Sequence, residues 1–424
     1  MHRVAASLLV VATLLAMSVI VPDGVAAQPK EVVIGVLYPM TGPTAQAGVD
    51  NKPVIEIGTD IANGAADLPF PFYQKLKGLP GLKGAKIRLV FADHQGKPEL
   101  GQAEAERLIT QEKVHALVGC WHSGVTATAS QVAERHGIPF LNPESSSPGL
   151  HRRGLKWFFR TSPHDEHFTQ AMFEFFRDFE KKRGVKIKTA GLTYDGTLFG
   201  ADSGKIMKEM AKKYGVEVVL DIQYKLQSTS LQSEVQRLKA ANPDVWMPTS
   251  YQTDAILFVR TAKELDYNAK MVMAQDAGHI APDFIQAVGK DGDGTLSRAP
   301  FNTDLIDKRP VAKALNAIYT KRHGKELYDF PARSFTGFMT LLDAINRAGS
   351  TDPEAIRQAL VATNIPGDQL IMTWEGIKFD ENGQNTHVKA IIVQLQGGKY
   401  YTVWPWDSAT RDVVYPIPAW KDRK

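Results

Sequence analysis

The chain has 424 residues, 43% of them hydrophobic and 23% charged, which is the composition of an ordinary globular protein. The formal net charge is only +4 and is spread along the chain, which argues against nucleic acid as a partner. A chain longer than roughly 300 residues is expected to form more than one domain. Cys120 is the only cysteine in the sequence, so no internal disulfide forms and burial must supply the stability.

The N-terminal segment has the layout of a secretory signal peptide. Arg3 is followed by an apolar run at 4–21, a break at 22–24 and the small residues Val25-Ala26-Ala27. This pattern predicts a signal peptide at 1–27 that is cleaved after Ala27. The alternative is a retained membrane anchor, for which a run of about 18 residues is short. Cys120 is far from the cleavage site, which excludes a lipid-anchored cysteine terminus, and we expect a free periplasmic protein.

In the first part of the mature chain, short β-rich runs alternate with segments of helical period. Strands are predicted at 31–37, 86–92, 114–119 and 138–141, and helices at 100–112 and 126–136. Alternation with short connections predicts a parallel sheet that is covered by helices on both faces. The segment 69–84 is rich in Pro, Gly and Leu, and we expect it to be an inserted surface loop.

The alternation restarts after Arg160. Five apolar side chains at helical spacing predict a buried helix face; they are Phe168, Met172, Phe175, Phe176 and Phe179. Further helices are expected around 206–214, around 231–238 and up to 265. Strands are predicted at 188–193, 216–222, 245–247 and 271–274. Two doubly wound units in series indicate two similar lobes.

The last third of the chain has a different pattern. Helices are predicted at 311–322 and 335–345, and a third starts at Pro353 behind the capping residue Asp352. No strands separate them, so we expect these helices to cover the first lobe. Strands at 377–379, 389–394 and 400–403 follow, joined by turns at Asn382-Gly383 and Gly397-Gly398.

Several motifs, taken together in order, resemble the branched-chain amino acid (Leu/Ile/Val-type) family of periplasmic binding proteins. They are VIGVLYPMTGP at 33–43, VFADHQG at 90–96, Ser123-Gly124, Asn142-Pro143, FRTSP at 159–163, Tyr194-Asp195 with Phe199-Gly200, and FDENG at 379–383. Each motif alone is weak. Their order and spacing span almost the whole mature chain and together make a strong signal.

The resemblance implies an α/β type I periplasmic-binding-protein fold, in which two doubly wound parallel-sheet lobes are joined by a three-segment hinge. We expect the first lobe at 28–160 with 302–370, and the second at 161–301 with 371–424. The crossings are then expected near 160–163, 296–301 and 370–373. The implied function is that of a periplasmic solute-binding protein for an ABC importer, with a small-molecule ligand in the interlobe cleft and a permease in the inner membrane as partner.

Two strand-end loops of the first unit are rich in hydrogen-bond donors. The loop 119–124 contains Ser123, and the loop 142–148 contains Ser145 and Ser146. Ligands of open α/β sheets bind at the carboxyl ends of strands, where loops and helix N-termini offer free N–H groups. These loops therefore suit a carboxylate or carbonyl group. The alternative is that the serines only cap helices and turns, and the resemblance favours binding.

In the second unit, Asp276, Tyr251 and Phe199 follow predicted strands at the matching edge. A carboxylate there can accept hydrogen bonds from an ammonium or amide group. The resemblance implies ligand contacts at Ser123, Ser146, Phe199, Tyr251 and Asp276. Three departures from the family pattern put the ligand's identity in doubt: Ala47 replaces an aromatic residue, Glu144 replaces a small one, and Phe199 replaces a tyrosine.

Trp121 and His122 directly precede Ser123 and complete the candidate site. Cys120 and His122 could suggest a nucleophile and its base, but side chains so close together on a strand-end loop diverge. No G-x-S-x-G, G-x-G-x-x-G, P-loop or H-E-x-x-H motif is present. We therefore expect neither an enzyme nor a cofactor or metal site.

The expected ligand is an amino acid, with aromatic carboxylates and short amides or urea as alternatives. Two other classes of function remain as alternatives. One is a ligand-sensing module of the same fold that feeds a receptor or regulator. The other is a secreted α/β hydrolase, which the missing nucleophile motif disfavours.

Overall fold

The computed structural model describes residues 30–423. The signal-peptide prediction for 1–27 lies outside the described residues. Within 30–423, no helix is both long enough and apolar enough to cross a bilayer.

The first lobe is built on a parallel sheet with the order β2-β1-β3-β4-β5. Its strands are β1 (Glu31–Tyr38), β2 (Lys86–Asp93), β3 (Ala116–Gly119), β4 (Phe140–Asn142) and β5 (Phe158–Arg160). Its first helices are α1 (Ala45–Ala62), α2 (Pro71–Gln74), α3 (Pro98–Thr110) and α4 (Ser123–His136). The strand order reverses between β1 and β3, which is the switch point where open α/β sheets bind ligands.

The second lobe begins with α5 (Asp165–Arg183), whose phenylalanines form its core as the helical period predicted. Its strands are β6 (Thr189–Asp195), β7 (Glu217–Tyr224), β8 (Val245–Thr249), β9 (Met273–Ala274) and β10 (Leu296–Ala299). The helices between them are α6 (Leu198–Tyr214), α7 (Gln232–Ala241), α8 (Gln252–Glu264) and α9 (Pro282–Val288). A bridge between Trp246 and Val272 joins β7-β6-β8 to β9-β10 in parallel.

After β10 the chain returns to the first lobe. Helices α10 (Pro310–His323), α11 (Asp329–Ala348) and α12 (Pro353–Val361) follow, and α10 and α11 both pack on α1. They cover the first lobe, as predicted. Every residue of α11 from Asp329 to Ile345 is buried, so this helix has no solvent face over most of its length.

The end of the chain forms two small antiparallel elements. A hairpin of β11 (Asn364–Pro366) and β12 (Gly376–Lys378) stays with the first lobe, and β13 (Ile391–Gln396) and β14 (Lys399–Trp404) add an antiparallel edge to β10. The two-lobed α/β fold predicted from the sequence is confirmed.

The segment after α12 contains the third crossing, which the sequence predicts near 370–373. The backbone of Arg160 exchanges hydrogen bonds with Gly383 (2.8 Å) and Asn385 (2.9 Å), and the rings of Phe159 and Phe379 are 5.3 Å apart. The chain therefore follows the first sheet as far as Asn385. The lobe boundaries stay a prediction, and these contacts support a third crossing at 386–390.

The segment 69–84 lies at the surface, as predicted, but it is not a simple loop, because it contains α2 and is anchored by buried side chains. Its leucines and aromatic residues are buried in the first lobe, and the ring of Tyr73 stacks on Phe335 of α11 at 5.7 Å. The backbone also packs tightly, because a Cβ at Gly81 would lie 1.9 Å from the carbonyl oxygen of Asn346. Pro and Gly shape the segment, while its leucines anchor it to the core.

Candidate ligand-binding site

The candidate residues follow the carboxyl ends of five parallel strands. In the first lobe, Ser123 follows β3, and Glu144 and Ser146 follow β4. In the second lobe, Phe199, Tyr251 and Asp276 follow β6, β8 and β9. The parallel topology therefore brings loops from both lobes to one cleft, as expected for an open α/β sheet.

These side chains line a small, partly open cavity with about 270 Å³ of empty volume including its opening. Seven candidate residues line it, namely Trp121, Ser123, Glu144, Ser146, Phe199, Tyr251 and Asp276. Ala277, Arg298 and Arg333 complete the lining. We call this space the inner cavity. Both lobes contribute to its walls.

The other three candidates lie elsewhere. His122 lines a separate cavity at the cleft mouth. Ala47 is buried in the core of the first lobe and does not line the inner cavity. Ser145 braces the two loops, because its Oγ donates to the carbonyl oxygens of Cys120 (2.9 Å) and Trp121 (3.1 Å). This geometry is that of a structural serine, which is the alternative to ligand binding that the sequence left open for Ser145.

The first lobe offers hydrogen-bond donors to the inner cavity. Ser123 is the first residue of the 14-residue helix α4, and no side chain caps this N-terminus. The first N–H groups of a helix have no partner within the helix and favour a negative charge. The Ser123 Oγ accepts from the backbone N–H of Ser147 at 3.3 Å, which leaves its own proton free to donate. The arrangement suits a carboxylate.

Two arginines hold Asp276 from both lobes. Arg298 Nη1, from β10, donates to Asp276 Oδ2 at 2.6 Å, and Arg333 Nη2, from α11, donates to the same oxygen at 3.1 Å. All three side chains are about 2% exposed. The sequence reasoning identified Asp276 and missed both arginines.

Arg333 is held from several sides. Its Nε lies 2.6 Å from Asp329 Oδ1, one helical turn away, and its Nη1 donates to the carbonyl oxygen of Glu144 at 3.0 Å. Burial by itself would lower the pKa of Arg333, but the negative charges of Asp329 and Asp276 outweigh it and raise the pKa. Arg333 therefore stays charged and links Asp276 to the first lobe.

The backbone of Asp276 has an uncommon conformation. Its φ is +57°, in the left-handed region that residues other than glycine seldom adopt. Two residues later, a Cβ at Gly278 would lie 2.3 Å from the backbone of Tyr251. The loop after β9 is thus pressed against the start of α8, which positions Asp276 and Tyr251 beside each other in the inner cavity.

Glu144 is a buried carboxyl group whose two oxygens have different hydrogen-bond partners. Its Oε1 accepts from Tyr38 Oη (2.8 Å), from Asn51 Nδ2 (3.2 Å) and from Ser334 Oγ. Its Oε2 has no hydrogen-bond partner among residues 30–423. Burial raises the pKa of Glu144 to about 7, although these hydroxyl donors and the charge of Arg333 oppose the rise.

Three buried polar atoms of the inner cavity have no partner within the described part of the chain. They are Glu144 Oε2, Asp276 Oδ1 and Arg298 Nε; a fourth atom, Arg333 Nε, makes no aligned hydrogen bond either but lies 2.6 Å from Asp329 Oδ1. A buried polar atom without a partner costs on the order of 1–3 kcal/mol, so a ligand that bonds to these atoms would gain that energy. The cavity thus offers two acceptors and one donor, besides the helix terminus.

Aromatic rings form the remaining walls. The Tyr251 ring lies 5.3 Å from Trp121 and 5.6 Å from Phe199, and Trp121 also contacts Phe330 at 5.1 Å. Such flat walls suit an apolar or aromatic group on the ligand.

Cys120 and His122 do not form a catalytic pair. Cys120 is fully buried, and burial raises the pKa of its thiol, which disfavours the thiolate. His122 Nε2 lies 3.1 Å from Thr44 Oγ1 instead. Within residues 30–423, no group of His, Cys, Asp or Glu side chains is arranged to hold a metal ion.

The sequence does contain a weak signal for the two arginines. Arg298 stands in a β-rich run between Ser297 and Ala299, and Arg333 lies two residues before the apolar helix pattern that begins at Phe335. A charged residue inside an apolar element is rarely buried unless it is paired. That observation marks both residues as candidates, but it does not identify their partner.

Comparison with known proteins places the chain in a family. A family model described as "Periplasmic binding protein" matches residues 31–399. The Leu/Ile/Val-binding protein homolog 7 of Brucella abortus is 29% identical over 405 residues, which cover 93% of this chain and 96% of that protein.

Solved structures show the same fold. The leucine binding protein LivK of Thermotoga maritima has a TM-score of 0.75 at 24% identity, covering 88% of this chain and 97% of that one. LivJ of Streptococcus pneumoniae, in complex with isoleucine, has a TM-score of 0.74 at 21% identity, covering 91% of this chain and 100% of that one. A benzoate-bound solute binding protein of R. palustris has a TM-score of 0.74 at 19% identity, covering 92% of this chain and 98% of that one. The chain therefore belongs to the periplasmic binding protein family, whose members bind solutes for ABC transporters, as the sequence resemblance implied.

Proposed function

We propose that this chain captures an amino acid in the inner cavity, in the periplasm, and delivers it to an ABC permease. The observation that supports this ligand is the pair of unpartnered carboxylate oxygens, Glu144 Oε2 and Asp276 Oδ1, in a cavity that also contains a free helix N-terminus. The donors suit a carboxylate, and the acceptors suit an ammonium group.

The carboxylate of the ligand lies at Ser123 in this proposal. The Ser123 hydroxyl and the first N–H groups of α4 supply donors, and the helix dipole adds a favourable partial charge.

The ammonium group lies between Glu144 and Asp276. An ammonium has three N–H donors and can satisfy both unpartnered oxygens at once. Its positive charge also compensates a carboxylate that would otherwise be buried at a cost of several kcal/mol. Since Asp276 Oδ2 is already occupied by two arginines, Oδ1 is the atom that remains for the ligand.

An aromatic carboxylate is the second candidate ligand. Arg298 Nε is an unpartnered donor in the same cavity, and three aromatic side chains line the walls. The structural neighbour from R. palustris was solved with benzoate. A ligand without nitrogen leaves the oxygens of Glu144 and Asp276 unsatisfied, which is why an amino acid ranks first.

The delivery step follows from the two lobes. Arg333 and Asp276 belong to different lobes, so their ion pair of 3.1 Å exists only when the cleft is closed around the inner cavity. The closed form is the one that a permease partner recognises in this proposal, and the crossings between the lobes act as the hinge.

A thermal-shift panel tests the ligand class. At about 100 times its dissociation constant, a ligand should add roughly 2.7 kcal/mol of stability. L-amino acids with apolar or aromatic side chains are expected to raise the melting temperature, and benzoate less so. Glu144→Gln and Asp276→Asn should each weaken amino-acid binding by about 2–5 kcal/mol, because a buried charge loses its partner.

The control is Asp221→Asn, a surface carboxylate paired with Lys208, which should bind like the parent. Glu144→Gln keeps the size of the side chain and tests the same site if Asp276→Asn unfolds. Unchanged amino-acid affinity in both variants would remove the ammonium site. A parent that binds only nitrogen-free aromatic acids would favour the second candidate.

A further inference from the structure

A second cavity lies at the mouth of the cleft. It has about 1140 Å³ of empty volume including its opening, and both lobes line it. His122 and Gly124 belong to the first lobe, and Thr197, Leu226 and Asp254 to the second. We call it the mouth cavity. The inner cavity, by comparison, has only about 270 Å³.

Tyr251 lines both cavities. Its ring lies 5.3 Å from Trp121, on the side of the inner cavity, and 5.1 Å from His122, which faces the mouth cavity. Asp254 follows Tyr251 by three residues, in the first turn of α8. Tyr251 is therefore a wall that the two cavities share, and Asp254 lies beyond it on the side of the mouth cavity.

Asp254 is a buried carboxylate that lacks a cationic partner. It is 1% exposed; its Oδ2 accepts from the backbone N–H of Gln227 at 3.0 Å, and its Oδ1 has no partner among residues 30–423. The only basic side chain of this lining besides His122 is Lys97, which is exposed and donates to Gln95 at 3.2 Å.

A second carboxylate, Asp195, lies near Asp254 but does not line the mouth cavity. Asp195 is fully buried; its Oδ1 accepts from Thr197 N–H at 2.8 Å and its Oδ2 has no partner in the described chain. Burial raises the pKa of Asp195 to about 6, and the charge of Asp254 contributes to the rise. No Lys, Arg or His within 30–423 forms an ion pair with either aspartate.

The opposite lobe presents a neutral partner. His122 is 7% exposed, and burial lowers its pKa well below the ordinary value, so the ring is uncharged. Its Nε2 contacts Thr44 Oγ1, whereas its Nδ1 has no partner in the described chain. The mouth cavity thus combines the unpartnered Nδ1 of His122 with the unpaired negative charge of Asp254. A positive or N–H-rich group would satisfy this carboxylate.

We propose that the mouth cavity is a second subsite, in which Asp254 binds the N–H-rich end of an elongated amino acid whose α-amino and carboxylate groups occupy the inner cavity. The end group is an ammonium, a guanidinium or an amide. This inference rests on the proposed function and extends it, because it assigns an extended polar side chain to the ligand. It also assigns a specificity role to Asp254.

Isothermal titration calorimetry with L-leucine, L-glutamine, L-lysine and L-arginine tests the proposal. At least one of the three N–H-bearing amino acids should bind more tightly than leucine. Asp254→Asn should weaken that ligand on the order of thirtyfold or more, because a buried charge partner is lost, and should leave leucine within about twofold. The matched control is Asp266→Asn, which removes a carboxylate beyond the end of the same helix and should change neither ligand.

A second variant removes space instead of charge. Thr253 is exposed and lines the mouth cavity, so Thr253→Trp places a larger side chain in this space. It should weaken the long ligand and spare leucine. If leucine binds and none of the three longer amino acids binds more tightly than leucine, the second subsite is excluded and the proposed function stands. The same conclusion follows if Asp254→Asn and Thr253→Trp weaken the binding of all ligands equally. If no amino acid binds the parent, both proposals fail.

Discussion

Asp276 and Glu144 differ in how their charge is compensated. Asp276 accepts from Arg298 and Arg333, which compensate part of its charge without a ligand. Glu144 receives hydroxyl and amide donors, while the only contact from Arg333 is to its carbonyl oxygen. Burial without a paired cation favours the protonated form of a carboxyl group. Glu144 is therefore the residue of the inner cavity whose charge depends on pH near neutrality.

This difference predicts a pH dependence of stability. The pKa of Glu144 is raised by burial from 4.5 to about 7 in the folded chain. Between these values the folded state holds a proton that the unfolded state has released, so stability falls as pH rises and then levels off above the folded pKa. The shift corresponds to about 3 kcal/mol in total. Glu144→Gln should remove this part of the slope.

Chemical denaturation at pH 4.5 and at about pH 8 measures the effect. Relative to the parent, Glu144→Gln should gain stability at the higher pH by an amount on the order of 3 kcal/mol. Glu209→Gln, at an exposed position of α6, is the control and should keep the parent's slope. Parallel slopes for the parent and Glu144→Gln would show that Glu144 stays ionised throughout.

At the scale of elements, helix ends determine where the chain turns. The predicted start of α12 at Pro353 is confirmed, and Asp352 Oδ1 accepts from the backbone N–H of Ala355 at 2.9 Å. Helix α4 has no such side-chain cap. A capped terminus has one of its backbone donors satisfied, whereas the uncapped terminus of α4 leaves its first N–H groups available to the ligand in the proposed function.

The side-chain cap of α12 allows a prediction about the free energy of unfolding. Asp352→Ala should lower the free energy of unfolding by about 1 kcal/mol, since one backbone N–H loses its acceptor. Urea denaturation measures it. Asp307→Ala removes an exposed carboxylate paired with Lys313 and should change stability by less than about 1 kcal/mol. A loss for Asp307→Ala as large as that for Asp352→Ala would argue against capping as the cause.

At the scale of the whole molecule, the site exists only when both lobes meet. Ser123, Glu144 and Arg333 come from the first lobe, and Tyr251, Asp276 and Arg298 from the second. Separating the lobes would break the Arg333–Asp276 contact and expose both charges to water. In the proposed function, the same residues therefore couple ligand binding to lobe closure, as in other proteins that close around a ligand by hinge motion.

Small-angle scattering tests this coupling. A saturating amino acid that binds by calorimetry should reduce the radius of gyration, because closure brings the two lobes together. The control is the same amino acid added to Glu144→Gln at a concentration that leaves the variant unliganded, where the profile should not change. Identical profiles of the parent with and without bound ligand would show that the cleft binds its ligand without closing.

The sequence by itself determined the alternation of strands and helices, the two lobes and seven residues of the inner cavity. The reason is physical, since parallel topology places all strand-end loops at one edge of a sheet, and their positions along the chain can be read without coordinates. Hydrophobic period also identified α5, because its phenylalanines lie on one face.

Only the tertiary structure decided what surrounds those residues. Helix α1 was not predicted, because Pro53 and buried polar residues such as Asp50 obscure its period, and the interactions that stabilise it come from α10 and α11. Likewise, the Pro and Gly content of 69–84 predicts a surface loop, whereas its leucines are buried in the core of the first lobe. Arg298 and Arg333 meet Asp276 from positions 22 and 57 residues away in the chain. No local pattern specifies such a contact, because the packing of two lobes creates it.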